Sequence, residues 1–198
     1  MIEVYKFCGS NEDECRLKCM DELDVYNNEI IIKCYEENSL YNIDVVKKED
    51  IKKFINDYIN EFGEKFGIKL STNIYEDENI FYVKIKSDNN SILIGKQGKT
   101  LNSLQYMIRK AISTECGFNV SVNLDVSNYK KIIEKNFETD IKNIINEVMQ
   151  TKIETKLEPM NSYKRRLVHS IASNYYNIET FSVGEEPERY TIIKYVEK

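Results

Sequence analysis

Residues 91–112 read SILIGKQGKTLNSLQYMIRKAI, and the architecture turns on this stretch. Two glycines, Gly95 and Gly98, bracket the polar pair Lys96 and Gln97. From Lys99 onward, Leu101, Leu104, Ile108, Ala111 and Ile112 recur at helical spacing. A helix is therefore predicted from Lys99 to about Cys116, with Gly117 ending it. The glycine loop then sits at a helix N-terminus. Glycine lets a backbone turn sharply and approach a ligand closely, helix-start N–H groups attract anions, and Lys96 and Lys99 add positive charge. That combination suits a phosphate. It is not a nucleotide-hydrolase P-loop: a GxxxxGK[ST] motif ending in Gly98-Lys99-Thr100 needs glycine at position 93, which is Leu93.

Working outward, residues 48–66 place Ile51, Phe54, Ile55, Tyr58, Ile59 and Phe62 on one helical face, and Gly67 follows as a stop. Residues 68–75 and 80–86 alternate as strands around the turn EDEN. Residues 118–126 alternate again. With Ser91–Ile94 as a short helix, the order over 47–126 is α-β-β-α-α-β. Ahead of it, 2–8, 29–35 and 40–46 read as strands and 10–24 as a charged helix, a small β-α-β-β unit. Behind it come a long helix (128–150), a strand (152–157), a break at Pro159 and a helix (162–175) capped by Asn161. Strands 177–183 and 189–196 flank the turn GEEPE. The predicted fold class is α+β, with three abutting domains at 1–46, 47–126 and 127–198.

Composition narrows the function. No run approaches the ~20 apolar residues of a membrane helix, and Met1–Ser10 lacks a signal-peptide pattern, so no membrane insertion is expected and the expected compartment is the cytoplasm. The five cysteines are odd in number, form no CxxC, and stand beside a single histidine. They read as reduced thiols, with no metal site and no cofactor. The net charge is −5, but it is unevenly spread. Residues 1–46 carry 4 Lys/Arg against 11 Asp/Glu, whereas 47–125 and 126–198 each carry 12 against 11. The acidity is thus confined to the N-terminal segment, and any contact with nucleic acid depends on local basic clusters. An enzyme is not expected. Glu185, Glu186 and Glu188 sit in a turn as solvated charge rather than as a metal-binding cluster, and one histidine excludes a two-histidine acid–base pair within the chain.

The lone histidine, His169, closes the run YKRRLVH at 163–169. On a helix Arg165 and His169 are i and i+4 and project from one face. A guanidinium pairs with phosphate in bidentate fashion or stacks on a base, and a histidine beside it donates a hydrogen bond. By position alone, a single helical histidine is more often a packed residue than a ligand.

The stretch SILIGKQGKTLNSLQYMIRKAI, in its α-β-β-α-α-β setting, resembles the core of type II KH domains. The resemblance implies that Gly95, Lys96, Gln97, Gly98 and Lys99 hold the phosphates of about four nucleotides, with Ile92, Ile94 and Leu101 as an apolar floor against the bases. EPMNSYKRRLVHSIASNY, followed by GEEPERYTIIKY, resembles the R-3-H domain, named for Arg-x-x-x-His. That resemblance implies Arg165 and His169 as a binding pair, Lys164 and Arg166 as supporting charges, and Arg189 on the last strand as a further contact. A KH domain followed directly by an R-3-H domain resembles the SpoIIIJ-associated Jag/KhpB family over about 47–198. The resemblance implies a binder of single-stranded RNA, or of single-stranded DNA by the same chemistry, acting as an RNA chaperone or post-transcriptional regulator. It also implies a link to cell elongation and division and a small single-KH protein as partner. The alternative is a scaffold or adaptor near the membrane insertase, with vestigial RNA surfaces. The chain departs from the family at its N-terminus, where Glu36-Glu37-Asn38-Ser39-Leu40 replaces a basic, glycine-rich loop and the long charged linker is absent.

Overall fold

The computed structural model describes residues 1–37 and 40–197; Asn38 and Ser39 of the predicted acidic loop lie outside the described residues. The chain forms two compact units, Met1–Tyr129 and Lys130–Lys198.

The first unit begins with β1 (Tyr5–Gly9), α1 (Glu12–Leu23), β2 (Ile30–Glu37) and β3 (Leu40–Lys47). Asn11 starts α1, its side chain accepting a 2.9 Å hydrogen bond from the Glu14 N–H. The three strands form an antiparallel sheet in the order β1-β3-β2. One sheet face packs on α1 around Cys15, Cys19, Ile30, Ile43 and Val45, so these two free thiols are core residues, as is Cys116 in the neighbouring core.

β3 runs without a break into α2 (Lys48–Phe66), which Gly67 ends in the left-handed region at φ 66°. Then come β4 (Leu70–Asp77), β5 (Ile80–Ser87), α3 (Asn90–Ile94), α4 (Lys99–Cys116) and β6 (Ser121–Val126). Ser91–Ile94 is indeed helical, which completes the predicted α-β-β-α-α-β order. β4 pairs antiparallel and β6 parallel with the central β5. Alternation in β5 and β6 sends Phe81, Val83, Ile85, Val122, Leu124 and Val126 inward, against Ile51, Ile55 and Ile59 of α2 and Leu101, Leu104, Ile108 and Ile112 of α4. Ile2 and Val46 belong to this same core. The predicted strand at 2–8 therefore starts only at Tyr5, with Ile2 drawn into the neighbouring core. The free edge of β6 is covered by α4: Arg109 Nε donates to the Val122 carbonyl at 2.9 Å, and the Leu124 N–H donates to Gln105 Oε1 at 2.9 Å. Satisfying an edge strand from within removes a template for pairing with another chain.

The second unit continues α5 (Tyr129–Thr151) into β7 (Thr155–Lys156), α6 (Ser162–Ala172), β8 (Ile178–Val183) and β9 (Tyr190–Tyr195). Its sheet is antiparallel in the order β7-β9-β8. The core is Ile141, Ile145 and Val148 of α5, Val168, Ile171 and Ala172 of α6, and Ile178 and Ile193 of the sheet. The unit differs from the periodicity in three places. α6 ends at Ala172 rather than 175, where the Ser173 and Asn174 side chains turn back to the Ser170 carbonyl. The strand predicted at 152–157 shrinks to two residues because Lys152 is left-handed, at φ 57°. Ile132 and Ile133, part of the predicted apolar stripe of α5, are 51% and 43% exposed.

Candidate nucleic-acid interface

The loop between α3 and α4 is built by its glycines. Gly95 has φ 68° and ψ −178°, a region essentially reserved for glycine, and a Cβ there would collide with the Thr100 side chain. Gly98 has φ 78°, and a Cβ there would lie 3.1 Å from the Tyr129 ring. The Gly95 N–H donates to the Ser91 carbonyl at 2.9 Å and the Gly98 N–H to the Gly95 carbonyl at 3.3 Å. This tight turn leaves Lys96 and Gln97 exposed at its tip, with Gln97 itself left-handed at φ 54°. Lys99 is also exposed.

Electrostatics favour an anion at this tip. α4 is 18 residues long, has no acidic residue in its first turn and no side-chain cap. The positive end of its dipole is therefore uncompensated. Among the described residues, neither Lys96 nor Lys99 enters an ion pair. Of the three predicted floor residues, Ile92 is 42% exposed beside the loop and Ile94 is half-buried against the core. Leu101 is 1% exposed; one turn into α4 it faces the sheet, and it cannot touch a base.

In the second unit, Arg165 and His169 do share one face of α6, and that face is turned inward. Arg165 is 7% exposed. One guanidinium nitrogen, Nη1, donates to the Met160 carbonyl at 2.6 Å and to Glu186 Oε1 at 2.8 Å. Met160 N–H in turn donates to the Arg189 carbonyl at 3.1 Å. The start of α6 is thereby fastened to the turn between β8 and β9. His169 is half-buried, with Nδ1 2.7 Å from Thr180 Oγ1 and Nε2 3.0 Å from Ser182 Oγ; Ser182 continues to the fully buried Thr191 at 3.3 Å. Lys164, Arg166 and Arg189 are exposed, and the Lys164 ammonium lies 5.1 Å from the Phe137 ring centroid. The sequence pattern missed Gln105 and Arg109. Their i, i+4 spacing beside the glycine loop is visible in the sequence, but the strand edge that they hold is not.

Two family models match the chain. A model described as KhpA/KhpB, KH domain, covers residues 52–124, which is α2 through β6 with the glycine loop inside. An R-3-H domain model covers residues 138–195, with Arg165 and His169 inside. Curated relatives are also similar to the chain. The RNA-binding protein KhpB of Clostridium symbiosum is 40% identical over 126 residues, 64% of this chain and 57% of the relative. The RNA-binding protein KhpB of Bacillus subtilis (strain 168) is 30% identical over 129 residues, 64% of this chain and 62% of the relative. The RNA-binding protein KhpB of Streptococcus pneumoniae serotype 2 is 23% identical over 126 residues, 63% of this chain and 38% of the relative.

The chain carries a KH domain of the KhpA/KhpB type and an R-3-H domain. It spans about three fifths of the length of the Clostridium symbiosum and Bacillus subtilis relatives. Residues 1–51, with the acidic β-α-β-β unit, lie outside both family models. No helix among the described residues is long and apolar enough to cross a membrane.

The histidine of the R-3-H domain carries a pH signature. Burial, and then the nearby Arg165 guanidinium, holds His169 below its ordinary value of 6.5. A folded-state value below the unfolded one means that the unfolded chain binds the proton more readily. Stability of the second unit is therefore full above about pH 6.5 and declines as the pH falls from there through the folded value. Thermal melts of the wild type and of His169→Gln between pH 7.5 and 5 check this. The wild-type melting temperature falls more steeply than that of the variant; parallel curves remove the histidine as the cause.

Proposed function

We propose that this protein binds single-stranded RNA, with the glycine loop as its principal contact. The observation that carries this is the uncompensated N-terminus of α4 beneath a glycine-enforced turn bearing the unpaired Lys96 and Lys99. Backbone N–H groups and ammonium ions converge there on phosphates, while the half-exposed Ile92 and the edge of Ile94 meet unstacked bases. The relatives' name, RNA-binding protein, supports RNA as the ligand. In the second unit Lys164, Arg166 and Arg189 supply exposed charge. Arg165 and His169, both engaged internally, hold the frame on which that charge is displayed. Two weak grips on one strand reinforce each other through effective concentration. The biological role that fits is an RNA chaperone or post-transcriptional regulator in the cytoplasm, serving cell elongation and division, with a small single-KH protein as partner.

The test is fluorescence anisotropy with labelled single-stranded RNA and DNA pools at several salt concentrations. Affinity falls with salt at a slope of about −0.7 per phosphate held, near −3 for four phosphates, and RNA is preferred. Salt-independent association with protein, without RNA bound, favours the scaffold alternative. One observation points that way for the second unit alone: both members of its Arg-x-x-x-His pair are engaged internally.

A further inference from the structure

α2 and α4 cover one face of the β4–β5–β6 sheet, and the opposite face is open. The pairing register places Ser71 beside Lys86, Asn73 beside Lys84 and Tyr75 beside Tyr82, all on the open side, since the intervening Phe81, Val83 and Ile85 are core. The Tyr75 and Tyr82 rings stack with centroids 5.2 Å apart and planes 11° apart. Tyr75 is 44% exposed. Lys84 Nζ lies 5.2 Å from the Tyr75 centroid. Among the described residues, neither Lys84 nor Lys86 enters an ion pair.

Two grooves run along these lysines. One of about 170 Å³ is lined by Ser71, Thr72, Asn73, Lys84 and Lys86. The other, of about 480 Å³, shares Lys84 and Lys86 and adds Ile85, Ser87, Ser127, Asn128 and Asp125, which the register sets beside Lys84. Asp125 Oδ2 accepts from the Asn128 N–H at 2.9 Å, which draws it toward its own turn. Hydroxyls, amides, two ammonium ions outside any ion pair, one carboxylate and a pair of stacked phenols make up the surface. It offers no apolar pocket for a protein anchor and no apolar side chain to insert into a bilayer. Phosphates with unstacked bases match it in both charge and shape.

We infer that this open sheet face is a second contact for single-stranded nucleic acid within the first unit, separate from the glycine loop. Lys84 and Lys86 take phosphates, Asn73 and Ser71 donate to backbone oxygens, and Tyr75, backed by Tyr82, stacks a base. A base arriving on Tyr75 displaces the Lys84 ammonium from the ring, which frees it for the adjacent phosphate. A strand gripped at the loop then continues across the sheet, and the protein holds a longer footprint than one loop defines. The inference rests on the nucleic-acid function proposed above.

The test uses the full chain and a uridine-rich single-stranded RNA carrying 4-thiouridine. Wild type is compared with Lys84→Gln/Lys86→Gln, with Tyr75→Ala and with the loop variant Lys96→Asp/Gln97→Asp. The lysine changes are at exposed positions and leave the fold intact. They make the salt slope shallower by about 1.4, two contacts at about 0.7 each; Tyr75→Ala weakens binding about tenfold. Irradiation of the wild type cross-links Tyr75 or Tyr82. If the wild type binds RNA, the lysine variant matches it in affinity and slope, and cross-links fall only outside 71–86, this inference fails while the proposed function stands. If the wild type binds no RNA at any salt concentration, both fall together.

Discussion

Replacing Lys96 and Gln97 by aspartate lowers affinity for single-stranded RNA about 100-fold and leaves the fold of the first unit unchanged. Both side chains are exposed at the tip of the loop, so no core contact is lost. Asparagine and aspartate tolerate the left-handed region better than other non-glycine residues, and Gln97 already occupies it at φ 54°; aspartate there is no worse. The electrostatic change is large. A charge-assisted phosphate contact contributes about 1.5–3 kcal/mol, and the substitution removes one such contact and sets two carboxylates against the phosphates at the α4 N-terminus. A loss of about 3 kcal/mol corresponds to two decades in affinity. Anisotropy gives the affinity, and circular dichroism melts confirm the fold. An affinity within threefold of wild type, with an unchanged salt slope, refutes the loop as the principal contact.

Arg165→Ala destabilises the second unit by about 2–3 kcal/mol, whereas Arg166→Ala changes its stability by less than about 0.5 kcal/mol. The two arginines are neighbours in sequence and opposite in environment. Arg165 is buried and satisfies the Met160 carbonyl; removing it orphans that acceptor at about 1–3 kcal/mol and deletes a packed side-chain stem. Its other partner, Glu186, is 59% exposed at the side chain and simply rehydrates, which keeps the total below that for breaking a fully buried pair. For a unit of this size the melting temperature falls by roughly 10–20 °C. RNA binding, measured well below both melting temperatures, separates bracing from contact. A stability loss with near-normal binding assigns Arg165 to the frame; equal melting temperatures for both variants contradict the buried geometry.

The order of elements was legible wherever one periodicity dominated. Alternation in 80–86 and the i, i+3, i+4 stripes of 48–66 and 99–116 gave α2, β5 and α4 to within a residue or two, because each of those faces meets a core. The glycine loop was equally legible, since Gly95 and Gly98 are there for backbone reasons that survive any packing. What stayed hidden depends on neighbours distant in sequence. A helical wheel puts Arg165 and His169 on one face but does not say that Thr180, Ser182 and Glu186 stand against it. Leu101 follows the loop directly, yet its stripe belongs to the core. Tyr75 and Tyr82 alternate outward on adjacent strands, and only the register 75↔82 makes them a stacked pair.

Ile2 and Val46 have a consequence for modularity. Both contribute to the core that α2, α4 and the β4–β5–β6 sheet enclose, and β3 passes into α2 with no intervening residue. A fragment cut between β3 and α2 would carry a dent where these two side chains belong, and the cut would expose apolar surface. The transplantable piece of this protein is therefore the whole of 1–129: its acidic leading sheet travels with the glycine loop as ballast of fixed charge, and cannot be swapped out as a detachable cap.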